Sequence, residues 1–589
     1  MEFYAKVSPV FGERRYLIPP PTLCPDCRAQ RRETWHNEKK VYKSNCSKTG
    51  REIFSMYNPE TTYTIVHPDY WWSDAWDPMS YGRDIDFSQD FFIEISEMMK
   101  SVPRPSNYLV WCENCDYCDN LRASKNCYYA FNGWAGPSFF EDSYYTVATG
   151  GWSRNVVDTL WTVASENSYE IVHSDRIHSS YHCMDSSMLD SCSFCKSCQG
   201  CSECTLCEWL NNKKYYFKNI QYEKGEYYKQ VDMFMQLSPA GKKKEVNIFS
   251  STIPKRALRN TMTENVFWEY LTASKNAYYC FFGMMLEDVK YAFTAFDVKD
   301  SMDCTNYGVQ WSLCYETCNV WYAYNVNFSF TCTENCRDLY YCDTCISCQN
   351  CFLCIWLRNK SYCILNKQYT REEYESLVPQ IISKMMTDWE WGEFFPASMS
   401  PFGYNETVAN EYYPMKREEV LGSSPLKKGD VTEWQRDLVS GEISSEQNPP
   451  DPLSQGGIET ETFLHWSVFN WSDYEAPFPK VEKIIKASLL PEDITQIPDD
   501  ILNWAIECEV SWKPFRIISQ ELEFYRKHGL PIPKKHPDQR HRERMEKRNP
   551  RKIFERKCDK CSRDMITTYA PERKDRVYCE ECYNREVLS

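Results

Sequence analysis

Between residues 108 and 386, short apolar runs alternate with polar punctuation. The runs DSYYTV, DTLWTV and NSYEIV, followed by KYAFTAF, NVWYAY and NFSFTC, mix Tyr, Phe, Val, Thr and Cys. Asn, Asp, Ser or Gly separates such runs at intervals of roughly ten residues, the spacing that short stacked strands require. No long helical pattern intervenes. The pattern therefore predicts two β-rich, solenoid-like units, 108–237 and 263–386, joined by a linker over 238–262. A short helix closes each unit. In the second, Thr370 and Glu373 form a capping box ahead of Tyr374, Leu377 and Ile381 at helical spacing. A further amphipathic helix is predicted around Phe91, Ile95 and Met98, inside a helical connector over 73–107. Residues 387–424 and 461–500 read as connectors, the first of them extended. The stretch 425–460, rich in Ser, Gly, Pro and charge, reads as a flexible linker.

Two duplications underlie this layout. In the middle, ASKNCYYAF (123–131) recurs as ASKNAYYCF (273–281), and CSECTLCEWLNNKKYYFKNIQY (201–222) recurs as CQNCFLCIWLRNKSYCILNKQY (348–369). The other links the two ends at a constant offset of 512. IPPPTLCPDCR (18–28) matches LPIPKKHPDQR (530–540), and NCSKTGREIFSMYNPE (45–60) matches KCDKCSRDMITTYAPE (557–572). Tyr57, Pro59 and Glu60 align with Tyr569, Pro571 and Glu572. One unbroken register predicts a shared fold for 1–72 and 501–589.

The tail carries the sharpest chemistry. Cys558-x2-Cys561 is followed by Cys579-x2-Cys582. Two-residue spacers let each cysteine pair form a tight knuckle, and a hairpin between them brings four soft ligands to the corners of a Zn²⁺ tetrahedron. The offset then exposes losses. Cys46 and His67 keep two of the four ligand positions, with Thr49 and Tyr70 at the others. Cys508 and His536 keep two, with Ser511 and Gln539 at the others. Cys24 and Cys27 form an intact pair whose partners would fall before Met1. Each end thus reads as a tandem zinc ribbon, degenerate over 1–72. An alternative is that Cys24, Cys27, Cys46 and His67 share one ion.

Thirty-one cysteines in 589 residues change the picture further. The N-terminus lacks the apolar core of a signal peptide, and no stretch is long and apolar enough to span a bilayer, so the expected compartment is the reducing cytoplasm, without membrane contact. There, metal ligands or buried thiols are favoured over disulfides. Cys195, Cys198, Cys201, Cys204 and Cys207 recur every third residue, and Cys342, Cys345, Cys348, Cys351 and Cys354 repeat them. That spacing fits neither a strand face nor a helical stripe. It admits buried thiols or a metal–thiolate cluster, with an iron–sulfur cluster as one form, although the Pro that follows the last ligand in ferredoxin runs is missing. Cys127 faces Ala277 and Ala130 faces Cys280 across the repeats, an exchange natural to small buried residues.

Net charge is −15, unevenly spread. Residues 526–557 hold 13 Lys/Arg against 4 Asp/Glu, and residues 28–51 hold 8 against 2. An acidic body with basic ends would admit nucleic acid only near those ends. Arg540, Arg542, Arg544, Lys547, Arg548, Arg551 and Lys552 are the candidate phosphate contacts. The cluster His173, Asp175, His178, His182, Cys183 and Asp185 is the candidate site of a polymer-acting enzyme. No phosphate loop, Rossmann fingerprint or nucleophile elbow is present.

The segments PPPTLCPDCRAQRR, YWWSDAWDP, WGEFFPASMSPFGYNETVA, PIPKKHPDQRH and CDKCSRDMITTYAPE resemble large cysteine-rich proteins abundant in ultra-small bacteria of the candidate phyla radiation. The resemblance runs over nearly the whole chain. It implies terminal zinc ribbons around a repetitive cysteine-rich centre and names no activity. The chain departs from it where the first cysteine pair is absent. The expectation is therefore a multidomain, mainly β, zinc-binding scaffold without enzymatic activity, whose partner is nucleic acid, a nucleoprotein assembly or another protein. The competing expectations are a polymer-acting enzyme and an iron–sulfur redox protein.

Overall fold

The computed structural model describes residues 2–37, 39–131, 139–148, 150–422, 468–478 and 480–587; the predicted flexible linker 425–460 lies outside them. The protein is mainly β and holds several sheets. An eleven-stranded sheet runs from Glu113–Asp116 to Ile220–Gln221, and a ten-stranded one from Leu271–Thr272 to Lys367–Gln368. Within each the pairing is parallel except for a closing hairpin. Lys125 pairs with Glu113, Arg154 with Glu166, Asp175 with Ser187 and Ser202 with Lys214, each twelve residues apart. The second sheet repeats that register at Lys275 with Glu287 and Gln349 with Ser361. One-residue insertions stretch it where Met302 meets Tyr315 and Ala323 meets Cys336.

The period of three has its cause in the backbone. Ser191, Phe194, Ser197, Gly200, Glu203, Leu206 and Trp209 all lie in the left-handed region, with φ between 49° and 62°. Each such residue turns an otherwise extended chain, so a corner recurs every third residue and four corners complete a coil of twelve. The residue after each corner points inward. Cys192, Cys195, Cys198, Cys201, Cys204 and Cys207 occupy that place and are all buried. The interior so formed is apolar and takes Cys and Ala alongside Val, Leu and Ile, and there Cys and Ala exchange at 127/277 and 130/280.

Left-handed conformations cost non-glycine residues roughly 1–2 kcal/mol each. Contacts between stacked corners offset that cost. Asn155 Nδ2 donates to Asn167 Oδ1 at 2.6 Å, and Asn126 Nδ2 to Asp142 Oδ1 at 3.0 Å. Tyr117 stacks on Tyr129 at 4.9 Å, and Phe328 on Tyr341 at 4.8 Å. Asn is favoured at corners because its short amide tolerates the left-handed region.

Helices close both sheets, at Lys224–Met235 and Arg371–Thr387. The second carries the predicted capping box, Thr370 with Glu373. Phe91–Ser101 is helical as expected. The predicted linker 238–262 is instead mostly the helix Pro239–Thr252, started by the Ser238 side chain capping Gly241 N.

The ends share one hairpin. Tyr42–Asn45 pairs with Glu52–Ser55, and Phe554–Lys557 with Asp564–Thr567, in the same register at an offset of 512. The N-terminal part packs Val7, Ile18, Trp35 and Trp71 with Tyr315, Phe328 and Tyr341 of the second sheet. Leu522, Phe524 and Tyr525 near the other end pack with Tyr144, Tyr145 and Val157 of the first.

Buried ion pairs fix both dockings, and they correct the expectation of basic outer patches. From helix Pro25–Glu33, Arg28 reaches Asp303 at 2.8 Å and Arg32 reaches Glu316 at 2.9 Å, while Arg31 meets Glu393 at 2.8 Å. From helix Pro537–Glu546, Arg540 pairs with Asp158, and Arg544 with Asp158 at 2.9 Å and Glu170 at 3.2 Å. Arg28 and Arg32 stand 512 positions before Arg540 and Arg544. The acidic residues of the two sheets that they meet, Asp158, Glu170, Asp303 and Glu316, all occupy corners, with φ between 48° and 57°. The two halves thus repeat one docking device.

Candidate metal centre

Hairpin Phe554–Lys557/Asp564–Thr567 turns through Cys558 to Arg563. Cys558 N donates to Arg563 O and Ser562 N to Cys558 O, both at 2.9 Å, with Ser562 at φ 60°. Helix Glu580–Val587 begins directly after Cys579, which puts Cys582 on its first turn. The four sulfurs of Cys558, Cys561, Cys579 and Cys582 all lie within 4.8 Å of one another. Four thiolates at about 2.3 Å from one tetrahedral ion stand roughly 3.8 Å apart. The Cys561 and Cys579 sulfurs are 3.8 Å apart. Cys558, Cys579 and Cys582 are buried, and Cys561 is exposed. Cys579 N donates to Cys558 Sγ at 3.3 Å. Burial opposes ionisation of that thiol, but the amides of Cys579, Cys561 and Lys560 outweigh it and bring it down to about 6. A thiolate in reach of amides and three further sulfurs is the donor set of a metal-ion site, and this group could hold one.

Two other hairpins carry the same turn. Cys46 N donates to Arg51 O, with Gly50 at φ 71°; Cys508 N donates to Lys513 O, with Trp512 at φ 60°. The backbone therefore builds the knuckle whatever the ligands are. At the degenerate copies the surviving ligands serve as local acceptors instead. Cys46 Sγ accepts from His67 N at 3.4 Å, and Cys508 Sγ from Ser511 N at 3.3 Å. His67 and His536 cap helices through Nδ1, which accepts from Asp69 N at 3.0 Å and Asp538 N at 3.1 Å. Cys24 caps helix Pro25–Glu33, its sulfur 2.9 Å from that of Cys27. Among the described residues, Cys24, Cys27, Cys46, His67, Cys508 and His536 join no group of three metal-ligating atoms, and the shared-ion alternative is not assembled.

The ladder sulfurs lie against backbone carbonyls. Cys192 Sγ donates to Asp190 O at 3.4 Å and Cys201 O at 3.5 Å. Cys198 and Cys204 repeat this donation to the carbonyls two residues before and nine after. Cys195, Cys201 and Cys207 follow the same rule, as do Cys342 and Cys345 in the second ladder. Cys351 also donates both ways, while Cys348 and Cys354 donate to the carbonyls of Ile346 and Phe352. No ladder cysteine belongs to a metal-capable group among the described residues.

The histidine cluster does not converge. His173 is buried against Tyr270 and Phe282 with Asp185 at 3.5 Å, His182 stacks on Phe194 at another corner, and His178 is exposed beside Asp190. Adjacent residues in a coil face different directions, so neighbours in sequence do not make a site.

The tail basic residues turn largely inward, a second correction. Arg540 and Arg544 are buried in the pairs described above. The Arg551 side chain is 7% exposed, reaches Glu33 at 2.7 Å and lies over the Tyr412 ring at 3.3 Å. Arg548 also lies over Tyr412, and Lys547 pairs with Glu170 at 2.9 Å. Arg542 and Lys552 are exposed. Sequence reasoning missed the internal charge pairs, although the 512 offset already aligns Arg28 with Arg540 and Arg32 with Arg544.

No helix among the described residues is long and apolar enough to cross a membrane. No family model matches the chain, and no curated protein matches it. One solved structure it is similar to is described as a "putative acetyltransferase" from Desulfovibrio desulfuricans G20, at 5% identity and a TM-score of 0.08. That match covers 43% of this chain and 57% of the other, a little over half its length, and carries no argument about fold or function.

Proposed function

We propose that the chain is a zinc-stabilised scaffold protein without enzymatic activity, its tail a zinc ribbon and its centre two short solenoids of twelve-residue coils. The observation that carries this reading is the convergence of four sulfurs at the tail. The ribbon docks where it can hold the halves together: Val577–Tyr578 pairs in parallel with Lys255–Arg256, between the two sheets, and Tyr583 packs on Trp209. Zinc would be held by Cys558, Cys561, Cys579 and Cys582 and would supply cross-linking of hairpin to helix. The likeness to cysteine-rich proteins of ultra-small bacteria belongs to this proposal, as does a reducing cytoplasm that keeps the remaining thiols free. A protein partner suits this geometry better than nucleic acid, since Arg540, Arg544 and Arg551 already have internal acidic partners.

Metal analysis of the purified chain tests the reading. One zinc per chain is expected, and Cys582→Ser should lose it while the coils keep their circular-dichroism signal. A metal-free protein, or one carrying several irons with visible absorption, would refute it.

A further inference from the structure

Outside the tail cysteine group, three cysteines reach the surface: Cys24, Cys27 and Cys112. Cys112 Sγ donates to the carbonyls of Val110 and Leu121, both at 3.5 Å, as the ladder sulfurs do. Cys24 and Cys27 face each other instead. Their sulfurs are 2.9 Å apart, and Cys27 N donates to Cys24 Sγ at 3.3 Å.

Helix capping does not account for this pair. A residue followed by Pro-Asp starts a helix three times, at Cys24-Pro25-Asp26, His67-Pro68-Asp69 and His536-Pro537-Asp538. In two of the three the cap is a histidine, and Tyr70 or Gln539 stands in the place of Cys27. Metal binding does not account for it either. The pair sits at a helix start as Cys579 and Cys582 do, but among the described residues it joins no group of three metal-ligating atoms. Two sulfurs are half of a tetrahedral site. What remains is an accessible dithiol on a fixed element, since the ion pairs of Arg28, Arg31 and Arg32 hold its helix in place.

We propose that Cys24 and Cys27 are a redox-active pair that exchanges with low-molecular-weight disulfides. Partial exposure of both sulfurs admits a small disulfide more readily than that of a folded protein. The amides at the helix start favour a thiolate on Cys24, which makes it the attacking sulfur. Cys24 Sγ gives up its proton and bonds to one sulfur of the small disulfide, and the other leaves as a thiolate that takes up a proton. Cys27 Sγ then loses its proton and attacks Cys24 Sγ, which expels the second small thiol. The pair gives up two electrons and two protons, and the small disulfide becomes two thiols. A reducing compartment reverses the exchange. The site does not depend on the tail cysteines or on zinc.

Incubation of the full zinc-loaded chain with oxidised glutathione tests the proposal, followed by acid quenching, unfolding, alkylation and peptide mass analysis. The peptide holding Cys24 and Cys27 should lose two hydrogen atoms and both alkylation sites, while Cys112 stays open to alkylation. Dithiothreitol should restore the pair, with zinc content unchanged throughout. Cys27→Ser removes the resolving sulfur and should leave glutathione attached to Cys24. Cys24→His keeps a cap of the kind at His536 and should slow modification of Cys27 at least about tenfold. Circular dichroism and zinc content should match the parent chain for both variants. The proposal is overturned if the pair stays reduced in millimolar oxidised glutathione, or if it reacts no faster than Cys112. Unchanged reactivity of Cys27 in folded Cys24→His would also overturn it, as would a second bound zinc that Cys27→Ser removes.

Discussion

Asp158→Ala should release the C-terminal part of the chain from the first coil stack. The Asp158 carboxylate is buried at a corner, φ 57°, and takes Arg540 on Oδ2 and Arg544 on Oδ1. Breaking a buried pair by removing one partner costs about 3–5 kcal/mol, because the remaining charge stays out of water. Here Arg544 keeps Glu170 at 3.2 Å and Arg540 keeps Glu521 at 3.4 Å, so the lower end, about 3 kcal/mol, is expected. That raises the population of the undocked state roughly a hundredfold. A chain of several packed units need not unfold in one step, so local opening is the proper readout. Limited proteolysis within helices Ser519–Lys527 and Pro537–Glu546 reports it, since cleavage of a rapidly opening segment follows the open population. Adding Arg540→Met to Asp158→Ala should recover at least about 1 kcal/mol, because it removes one of the stranded charges. A loss below about 1 kcal/mol in the single variant, or strict additivity in the double, would show that water reaches these groups and that the ion pairs do not dock the tail.

Three further outcomes are expected. Asn167→Val should lower stability by about 1–2 kcal/mol, since a β-branched residue must take φ 49° and the bond from Asn155 is lost. Asn167→Gly should cost less, and equal melting temperatures for the two would contradict the corner account. Burial first of all, against the pull of Asp185, holds the His173 imidazole down to about 4. Its folded value is below its unfolded one, so its contribution is complete above about pH 6.5 and is lost as pH falls toward 4, by at most about 3 kcal/mol. Urea midpoints for the parent chain and His173→Phe at pH 7.5 and 4.5 check this, and the variant should show the shallower decline. Finally, Cys198→Ala should cost about 1 kcal/mol and Cys198→Leu about 1–3 kcal/mol, as a tight apolar interior demands. Loss of bound iron from either variant would instead make the ladder a metal site.

Much of this architecture could be read from residue order because it is local. The tail cysteine group that could hold a metal ion depends on two Cys-x2-Cys knuckles and one hairpin, all within 25 residues, and spacing alone brings such sulfurs together. The helix at Arg371–Thr387 announces itself through Thr370, Glu373 and the apolar residues behind them. The matched hairpins at the two ends follow from a gapless alignment, because the same residues in the same order make the same turn. The period of three in the cysteines was also visible.

What that period meant was not. Tyr, Phe, Trp and Glu at corners look like ordinary strand residues, since nothing local favours φ above zero for them; only stacking on the coils before and after makes the conformation affordable. The histidines at 173, 178 and 182 looked like one site, yet successive corners send them to different faces. The tail and N-terminal arginines looked like phosphate contacts, because a charged helix is solvated unless something distant covers it. Asp158 and Asp303 lie hundreds of positions from Arg540 and Arg28. Residue order alone determined the strand-rich centre, the repeats and the four tail sulfurs, which rest on short-range spacing. The tertiary structure decided which charges were neutralised and which thiols stayed at the surface, because burial and pairing are properties of segments brought together from far along the chain.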